Sequence, residues 1–456
     1  MTDELTWAPA WRLSELIRSK EVSPVEVLEH FLGRIEDHDP ELRAFAHLDP
    51  AGARQAAEEA ESAVLAGEYL GLLHGIPTAV KCHIDIEGVP ETMPFGTGVA
   101  RRDHPVVTRL RGAGAIVIGH TTMPALAADF SFDGFASARN PWDTTRTPGI
   151  SSAGTAAAVT AGLLPVAIGS DGGGSSRVPA AYSGYLGMHT TPGLVPWVDP
   201  RGQTNSYTST IGPAARDARD AANVLAVIAG PDARDQAGLQ IDLADPRGEL
   251  DLGADGLRLA WSDDFGFALD YAADDSPRVI SHIRDAALAL NGVGARIEPT
   301  DARWEDYIEA FKVYSFAGLA SMGLPGIGDI SDEQWDEAAA VRQRTWTTFQ
   351  TLFRDHDLLL CPTIHSVAPK IEDFMEWIPT GMSIVEMVPG ARRFAVYTAL
   401  FNWLRFPAVS VPCGFVDGLP VGLQIVGPPG SDVKVLRLAH AFTQAFPQTA
   451  RPPAFA

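Results

Sequence analysis

Cysteine is scarce in this chain of 456 residues: there are three, Cys82, Cys361 and Cys413. Thiols spread so thinly make no disulfide framework, and a reducing compartment is the simplest setting. Positive charge is also short. Lys and Arg total 35 against 57 Asp and Glu, a formal net charge of −22. A surface that acidic repels phosphate backbones and anionic lipid, so neither nucleic acid nor a membrane is expected as a partner. No run reaches the about 18 uninterrupted apolar residues of a membrane span. The opening MTDELTWAPAW has no basic region and no apolar stretch, so no secretory signal is read there and a cytoplasmic location is expected. Reaction signatures are missing too. No serine sits in a Gly-x-Ser-x-Gly elbow, and His-Glu-x-x-His and Cys-x-x-Cys are both absent. A nucleophile-elbow hydrolase has no foothold, a metal-activated water has no ligand set, and no cofactor is expected.

What is there describes an ordinary globular protein, 46% hydrophobic and 20% charged, long enough for a large core. Residues 1–70 read as helices. Ser23, Pro24 and Glu26 fit a capping box with proline at the first helical position, and Leu28, Phe31, Leu32 and Ile35 follow at helical spacing. Asp49-Pro50 opens a second helix. From about Leu72 short apolar runs look like buried strands: GIPTAV (75–80), GAIVIG (114–119) and PVAIGSD (165–171). SSAGTAAAVTAGLL (151–164) reads as a helix between two of them. GLRLAW (256–261) precedes a helix that Ser276-Pro277 would cap, and ARIEP (295–299) follows it. Alternating strands and helices predict an α/β fold with a parallel or mixed sheet. The acidic stretch 231–255 reads as a surface excursion within one large domain spanning 1–456.

The most unusual stretch is GSDGGGSSR, Gly169–Arg177. Three glycines in a row are entropically costly to order, so something must require them. A tight loop is one explanation. A phosphate cradle is another, but the Gly-x-x-x-x-Gly-Lys spacing is absent and the loop carries an aspartate. A third is an oxyanion hole, in which the N–H groups of Gly172, Gly173 and Gly174 face one point beside the Ser175 hydroxyl, where charge develops as a nucleophile adds to a carbonyl. Ser175 then needs a base. Lysine serves if burial leaves its amine neutral. Lys81 ends the apolar run HGIPTAV, which draws it toward the interior, although a strand-end lysine alone reads as a snorkelling surface residue.

Four blocks resemble the amidase signature family of serine hydrolases: GIPTAVK (75–81), LRGAGAIVIGHTTMP (110–124), the long block from Asn140 to Gly187, and FPAVSVPCGFVDGLPVGLQIVGPP (406–429). The resemblance implies one α/β/α domain around a large mixed sheet. It implies a Ser–Ser–Lys triad, which falls on Ser175 as nucleophile, Ser151 as the middle serine behind a cis peptide bond, and Lys81 as base, with Gly172, Gly173 and Gly174 as the oxyanion hole. The signature core with its triad then spans 72–230, a variable substrate-pocket segment 300–405, and the C-terminal part of the core 406–456.

Several positions depart from the family pattern. Cys82-His83 stands where Asp-Asn is usual, Ile150 and Ala153 replace glycines, and GMHTT (187–191) replaces Gly-Leu-Lys-Pro-Thr. Cys82 reads as a small buried hydrophobe or a group tuning the base, and His83 as a core residue or a polar pocket group. Asp171 is expected to brace the glycine loop, and Arg177 to be structural or to orient the site. Trp304, Tyr307, Phe311, Tyr314, Phe316, Trp377, Tyr397, Phe401 and Trp403 enrich the variable segment in aromatics. Most read as helix core and the remainder as a pocket for a bulky or aromatic substrate. The expected function is cofactor-independent hydrolysis of a small-molecule amide through an acyl-enzyme, by a monomer or homodimer. The alternatives are carbamate or ester hydrolysis by the same triad, an inactive binding protein, or an amidotransferase subunit.

Overall fold

A computed structural model describes residues 2–91, 98–123, 138–198, 208–241, 243–321, 330–373 and 395–456. The apolar runs do become strands. In chain order they are β1 (Phe45–Leu48), β2 (Pro77–Lys81), β3 (Ile116–Thr121), β4 (Val166–Asp171), β5 (Leu186–His189), β6 (Thr210–Ala215), β7 (Arg258–Trp261), β8 (Arg296–Pro299), β9 (Leu358–Pro362), β10 (Ala408–Val416) and β11 (Leu419–Val426). They form one sheet of 11 strands in the order β1-β3-β2-β4-β6-β5-β10-β11-β9-β7-β8. The sheet is mixed. β2 runs parallel to β3 and β4, and β7 parallel to β8 and β9, while the remaining neighbours are antiparallel. Every residue of β2 and β4 is buried, as both faces of a helix-covered sheet require. Among the described residues no helix is long and apolar enough to cross a membrane.

Local signals were accurate where they were self-contained. Ser23 and Glu26 form the reciprocal capping box on helix Pro24–Leu42, and Asp49 caps helix Pro50–Ala66 by accepting from the Gly52 N–H at 2.9 Å. They failed where a distant partner decides. The helical segment 1–70 also contains β1, an edge strand whose four residues gain their identity only by pairing antiparallel to β3. Ser276 begins helix Ser276–Leu288 but does not cap it. Its hydroxyl accepts from the Ala273 N–H at 2.8 Å and meets His365 Nδ1 at 3.0 Å, and Asp275 stands at the N-cap. The helix expected over 151–164 is shorter, Ala153–Thr160, which leaves Ser151 and Ser152 in the turn before it.

Two features of this frame position the site. β2 and β4 lie side by side and parallel, with Val80 opposite Ile168, so Lys81 and the Ser170-Asp171 pair emerge at the same carboxyl edge. Crevices at such edges are where open α/β sheets bind ligands. Helix Ala153–Thr160 is buried along its whole length and packs backbone to backbone at its start. The Gly154 N–H donates to the Thr122 carbonyl at 2.9 Å, and a methyl group on Gly154 would fall on the Ala44 carbonyl oxygen and the Thr122 nitrogen. Gly154→Ala is expected to lower folding stability by about 1–3 kcal/mol, the usual penalty of overpacking. Urea titration checks this, and a midpoint equal to that of the parent chain would refute the close approach.

Candidate active site

Lys81 is the last residue of β2 and is buried. Among the described residues nothing acidic bonds its amine. Three hydroxyls do: Nζ donates to Ser152 Oγ at 3.0 Å and to Ser170 Oγ at 3.1 Å, and lies 2.7 Å from Ser151 Oγ. Burial disfavours the ammonium and lowers the Lys81 pKa to about 7, a fall only partly opposed by the nearby Cys82 and by the Asp171 carboxylate. Proton counting fixes the direction of one of these bonds. The Ser152 hydroxyl gives its one proton to the Ser170 carbonyl at 3.2 Å, so toward Lys81 it can only accept. A neutral amine has two protons and one lone pair for these three oxygens, so in that form either Ser151 or Ser170 must donate to it. The three serines differ in access. Ser152 and Ser170 are buried, whereas Ser151 is partly exposed.

Ser151 follows a cis peptide bond from Ile150, which is itself partly exposed. Its neighbour Ser152 donates its N–H to the Ser175 carbonyl at 3.1 Å, so the turn carrying Ser151 is tied to the turn carrying Ser175. Of the loop after β4, Gly172, Gly173 and Ser175 are partly exposed and Gly174 is buried. The structure therefore corrects one expectation. The Gly174 N–H donates to Asp171 Oδ1 at 2.6 Å and is not available to a ligand. The N–H groups of Gly172 and Gly173 make no hydrogen bond among the described residues. Ser151, Gly172, Gly173 and Ser175 are thus the partly exposed residues of the two joined turns, with the buried amine of Lys81 beside Ser151.

Asp171 braces this loop, as expected. Besides the Gly174 amide it accepts from the N–H groups of Ser176 at 3.2 Å and Arg177 at 3.4 Å. Arg177 meets it with two parallel bonds, Nε to Oδ2 at 2.9 Å and Nη2 to Oδ1 at 3.0 Å, and both side chains are fully buried. The guanidinium and the other donors hold the Asp171 carboxyl far below the usual range against the opposing effect of burial. Arg177 also donates to the Thr398 carbonyl, Gln424 Oε1 and Asn402 Oδ1. All its partners are interior, so it works as a structural tie. His189, at the departure GMHTT, lies against the same group: its Nδ1 is 4.0 Å from Asp171 Oδ1 and 2.9 Å from Thr210 Oγ1, and burial pushes its pKa down to about 3.

Cys82 is buried, and its N–H donates to the Thr121 carbonyl at 3.0 Å. The His83 ring is buried against Trp197, 5.5 Å between centroids, and burial holds it neutral. The aromatics sort sharply. Trp304, Tyr307, Tyr397, Phe401 and Trp403 are buried in one cluster with Phe349 and Phe406, so they are core and not pocket wall. Phe311 and Tyr314 are partly exposed. Phe311 reaches the glycine loop, because a methyl group on Gly173 would lie 3.7 Å from its Cζ and 3.8 Å from Ala399 Cβ. The side chain of Phe316 and all of Trp377 lie outside the described residues.

Ser152, Ser170, Thr398, Asn402 and Gln424 were not found from sequence. Ser152 and Ser170 sit within the quoted blocks and differ from other serines only in where β2 and β4 bring them. Thr398 and Asn402 lie more than 200 residues from the loop they bond, with no local signal to mark them, and Gln424, inside the fourth block, lies 247 residues from Arg177.

Comparisons with known proteins bear on the family and the fold. The Amidase family model matches residues 26–323 and 327–436. An acylamidase of Rhodococcus erythropolis is 31% identical over 493 residues, covering 100% of this chain and 99% of that protein. A glutamyl-tRNA(Gln) amidotransferase subunit from Heliobacterium modesticaldum is 31% identical over 485 residues, covering 96% of each. The crystal structure of a bacterial aryl acylamidase of the amidase signature superposes with a TM-score of 0.81 at 25% identity, covering 97% of each chain.

If the Lys81 amine acts in its neutral form, activity must rise with pH. Below about 7 the amine is protonated and kcat/KM is expected to fall about tenfold per pH unit, and above it to level off. Lys81→Ala is expected to lower kcat by about three orders of magnitude or more. A rate independent of pH from about 5.5 to 8.5, or a variant keeping a tenth of the parent kcat, would remove Lys81 from the reaction.

Proposed function

The chain belongs to the Amidase (amidase signature) family, and we propose that it hydrolyses the C–N bond of a small-molecule amide with a bulky or aromatic group, through an acyl-enzyme on Ser175. The observation that carries this reading is the buried Lys81 amine, held from behind by Ser152 and Ser170 and facing Ser151 on its open side. In the proposed cycle Lys81 takes the Ser151 proton as Ser151 takes that of Ser175. Ser175 Oγ bonds to the substrate carbonyl carbon, and the negative charge on the carbonyl oxygen is met by the amides of Gly172 and Gly173. The proton returns through Ser151 to the leaving nitrogen as the C–N bond breaks, and an amine departs. Water, deprotonated by the same relay, then splits the ester and restores the Ser175 hydroxyl. The bridging serine carries a proton between groups not in direct contact.

Phe311, a partly exposed aromatic next to the loop, supports a bulky substrate. Burying about 100 Å² of phenyl surface at roughly 25 cal/mol per Å² gains about 2.5 kcal/mol before ordering costs reduce it. The acylamidase and aryl acylamidase relatives favour the same class. A carbamate or ester offers the same carbonyl to Ser175. Similarity to amidotransferase subunits supports a second reading, in which the chain is one component of such a complex.

The test is a panel of p-nitroanilides, aliphatic amides, aryl carbamates and esters, turned over by the purified chain alone. An aryl or long-chain amide is expected to exceed acetamide at least tenfold in kcat/KM, and Ser175→Ala to abolish both turnover and labelling by a fluorophosphonate. Equal rates on acetamide would end the bulky-substrate reading, and an adduct mapped to another serine would end the assignment of Ser175. Absence of amide turnover until a second subunit is added would favour the amidotransferase reading.

A further inference from the structure

A run of three glycines is the least constrained backbone that can be placed at a site. Here it is gripped at three points. The Gly174 N–H donates to Asp171 Oδ1, and the Ser175 carbonyl accepts from the Ser152 N–H. The third grip comes from 225 residues away: Thr398 Oγ1 donates to the Gly173 carbonyl at 2.8 Å. The peptide joining Gly173 to Gly174 is thus held at both ends, its carbonyl by Thr398 and its N–H by Asp171. A plane fixed there anchors one end of Gly173 and narrows the directions open to the N–H groups of Gly173 and Gly172, which make no hydrogen bond among the described residues.

Thr398 is itself anchored. It is buried and stands at the N-terminal boundary of helix Ala399–Leu404, and its carbonyl accepts from Arg177 Nη1 at 3.1 Å. One turn on, Asn402 Nδ2 donates to Asp171 Oδ1 at 2.8 Å and to the Asp171 carbonyl at 3.0 Å, and its Oδ1 accepts from Arg177. The helix therefore holds both halves of the loop, Asp171 through Asn402 and Gly173 through Thr398. The fit is tight: at Gly174, whose φ is +125°, a methyl group would lie 2.8 Å from Thr398 Cβ and overlap its hydroxyl.

We propose that Thr398 is a positioning residue for the reaction, its hydroxyl orienting the Gly172 and Gly173 amides through the Gly173–Gly174 peptide. The inference rests on the acyl-enzyme reading. It differs from a packing role in one respect: the hydroxyl matters for the chemical step, and the volume of the side chain does not supply it.

Thr398→Val keeps the shape and removes the hydroxyl, and Thr398→Ser keeps the hydroxyl and removes a methyl group. In the full chain, with the best aryl amide, Thr398→Val is expected to lower kcat about 10- to 100-fold with KM within about threefold. This is somewhat less than loss of an oxyanion donor itself. Its rate of fluorophosphonate labelling at Ser175 should fall in parallel. The acid limb of the pH profile should stay where it is, because the bonds of Lys81 are untouched. Thr398→Ser should restore at least half of the parent kcat. If the valine variant does not fold, Thr398→Ala carries the same expectation against Thr398→Ser. A hydroxyl-free variant with kcat and labelling within twofold of the parent, or a serine variant no better than it, overturns the proposal while the acyl-enzyme stands. A parent chain that is not labelled at Ser175 overturns the acyl-enzyme reading, and this proposal with it.

Discussion

The cost of burying a lysine is the constraint on which the site depends. In water an amine of this kind is charged throughout the neutral range. At the end of β2, Lys81 is enclosed, and the partners that reach it are neutral hydroxyls. A carboxylate in direct contact would favour the ammonium and undo the effect of burial. One carboxylate is close, that of Asp171, and Arg177 compensates its charge with two bonds in a fully buried pair. A pair of that kind contributes little net stability, and leaving either partner alone in the interior would cost about 3–5 kcal/mol. Its value here is electrostatic and geometric. It sets a compensating positive charge against the Asp171 carboxylate, and it organises the loop that follows.

That loop combines two demands that oppose each other. Close approach of a carbonyl needs bare backbone, which glycine supplies, but a catalytic dipole is effective only if it is already oriented. The resolution is to remove freedom from outside the run. Asp171 takes the Gly174 amide, Ser152 takes the Ser175 carbonyl, and Thr398 takes the Gly173 carbonyl. The amides left over are those on the accessible side. Order at the site is therefore borrowed from helix Ala399–Leu404 and from β11, through Asn402 and Gln424, and ultimately from the aromatic core in which that helix is buried.

The aromatics show where composition runs out. The variable segment is rich in large rings, and a count does not say which of them are core and which face a ligand. Trp304, Tyr307, Tyr397, Phe401 and Trp403 instead pack on one another and on Phe349 and Phe406. Phe311 is left at the loop. Ring content reports how much surface must be buried, and topology decides whether protein or ligand buries it. The edge strand β1 makes the same point in the backbone. Four residues carry too little periodicity to announce a strand, and pairing with β3 supplies what propensity does not. Ser276 is a third case: a serine before a proline looks like a cap, but a nearby N–H and His365 take its hydroxyl.

By itself the sequence determined most of what has local physics. Capping residues within one turn of their targets, apolar runs that must be buried on both faces, the absence of competing reaction motifs, and the order of the four signature blocks were all legible, and with them the α/β class, the family, and the expectation that Lys81, Ser151 and Ser175 belong to one site. Tertiary structure alone decided what depends on residues distant in the chain. It set the hydroxyls that complete the shell of Lys81, because β2 and β4 had to be laid side by side to bring Ser170 within 3.1 Å. It removed the Gly174 amide from the accessible set, because Asp171 turns back onto it at 2.6 Å. It also brought Thr398 and Asn402 to a loop more than 200 residues earlier. A hydrogen bond acts over about 3 Å and is indifferent to separation along the chain. Sequence can therefore name the groups able to form one, and only the fold selects which of them meet.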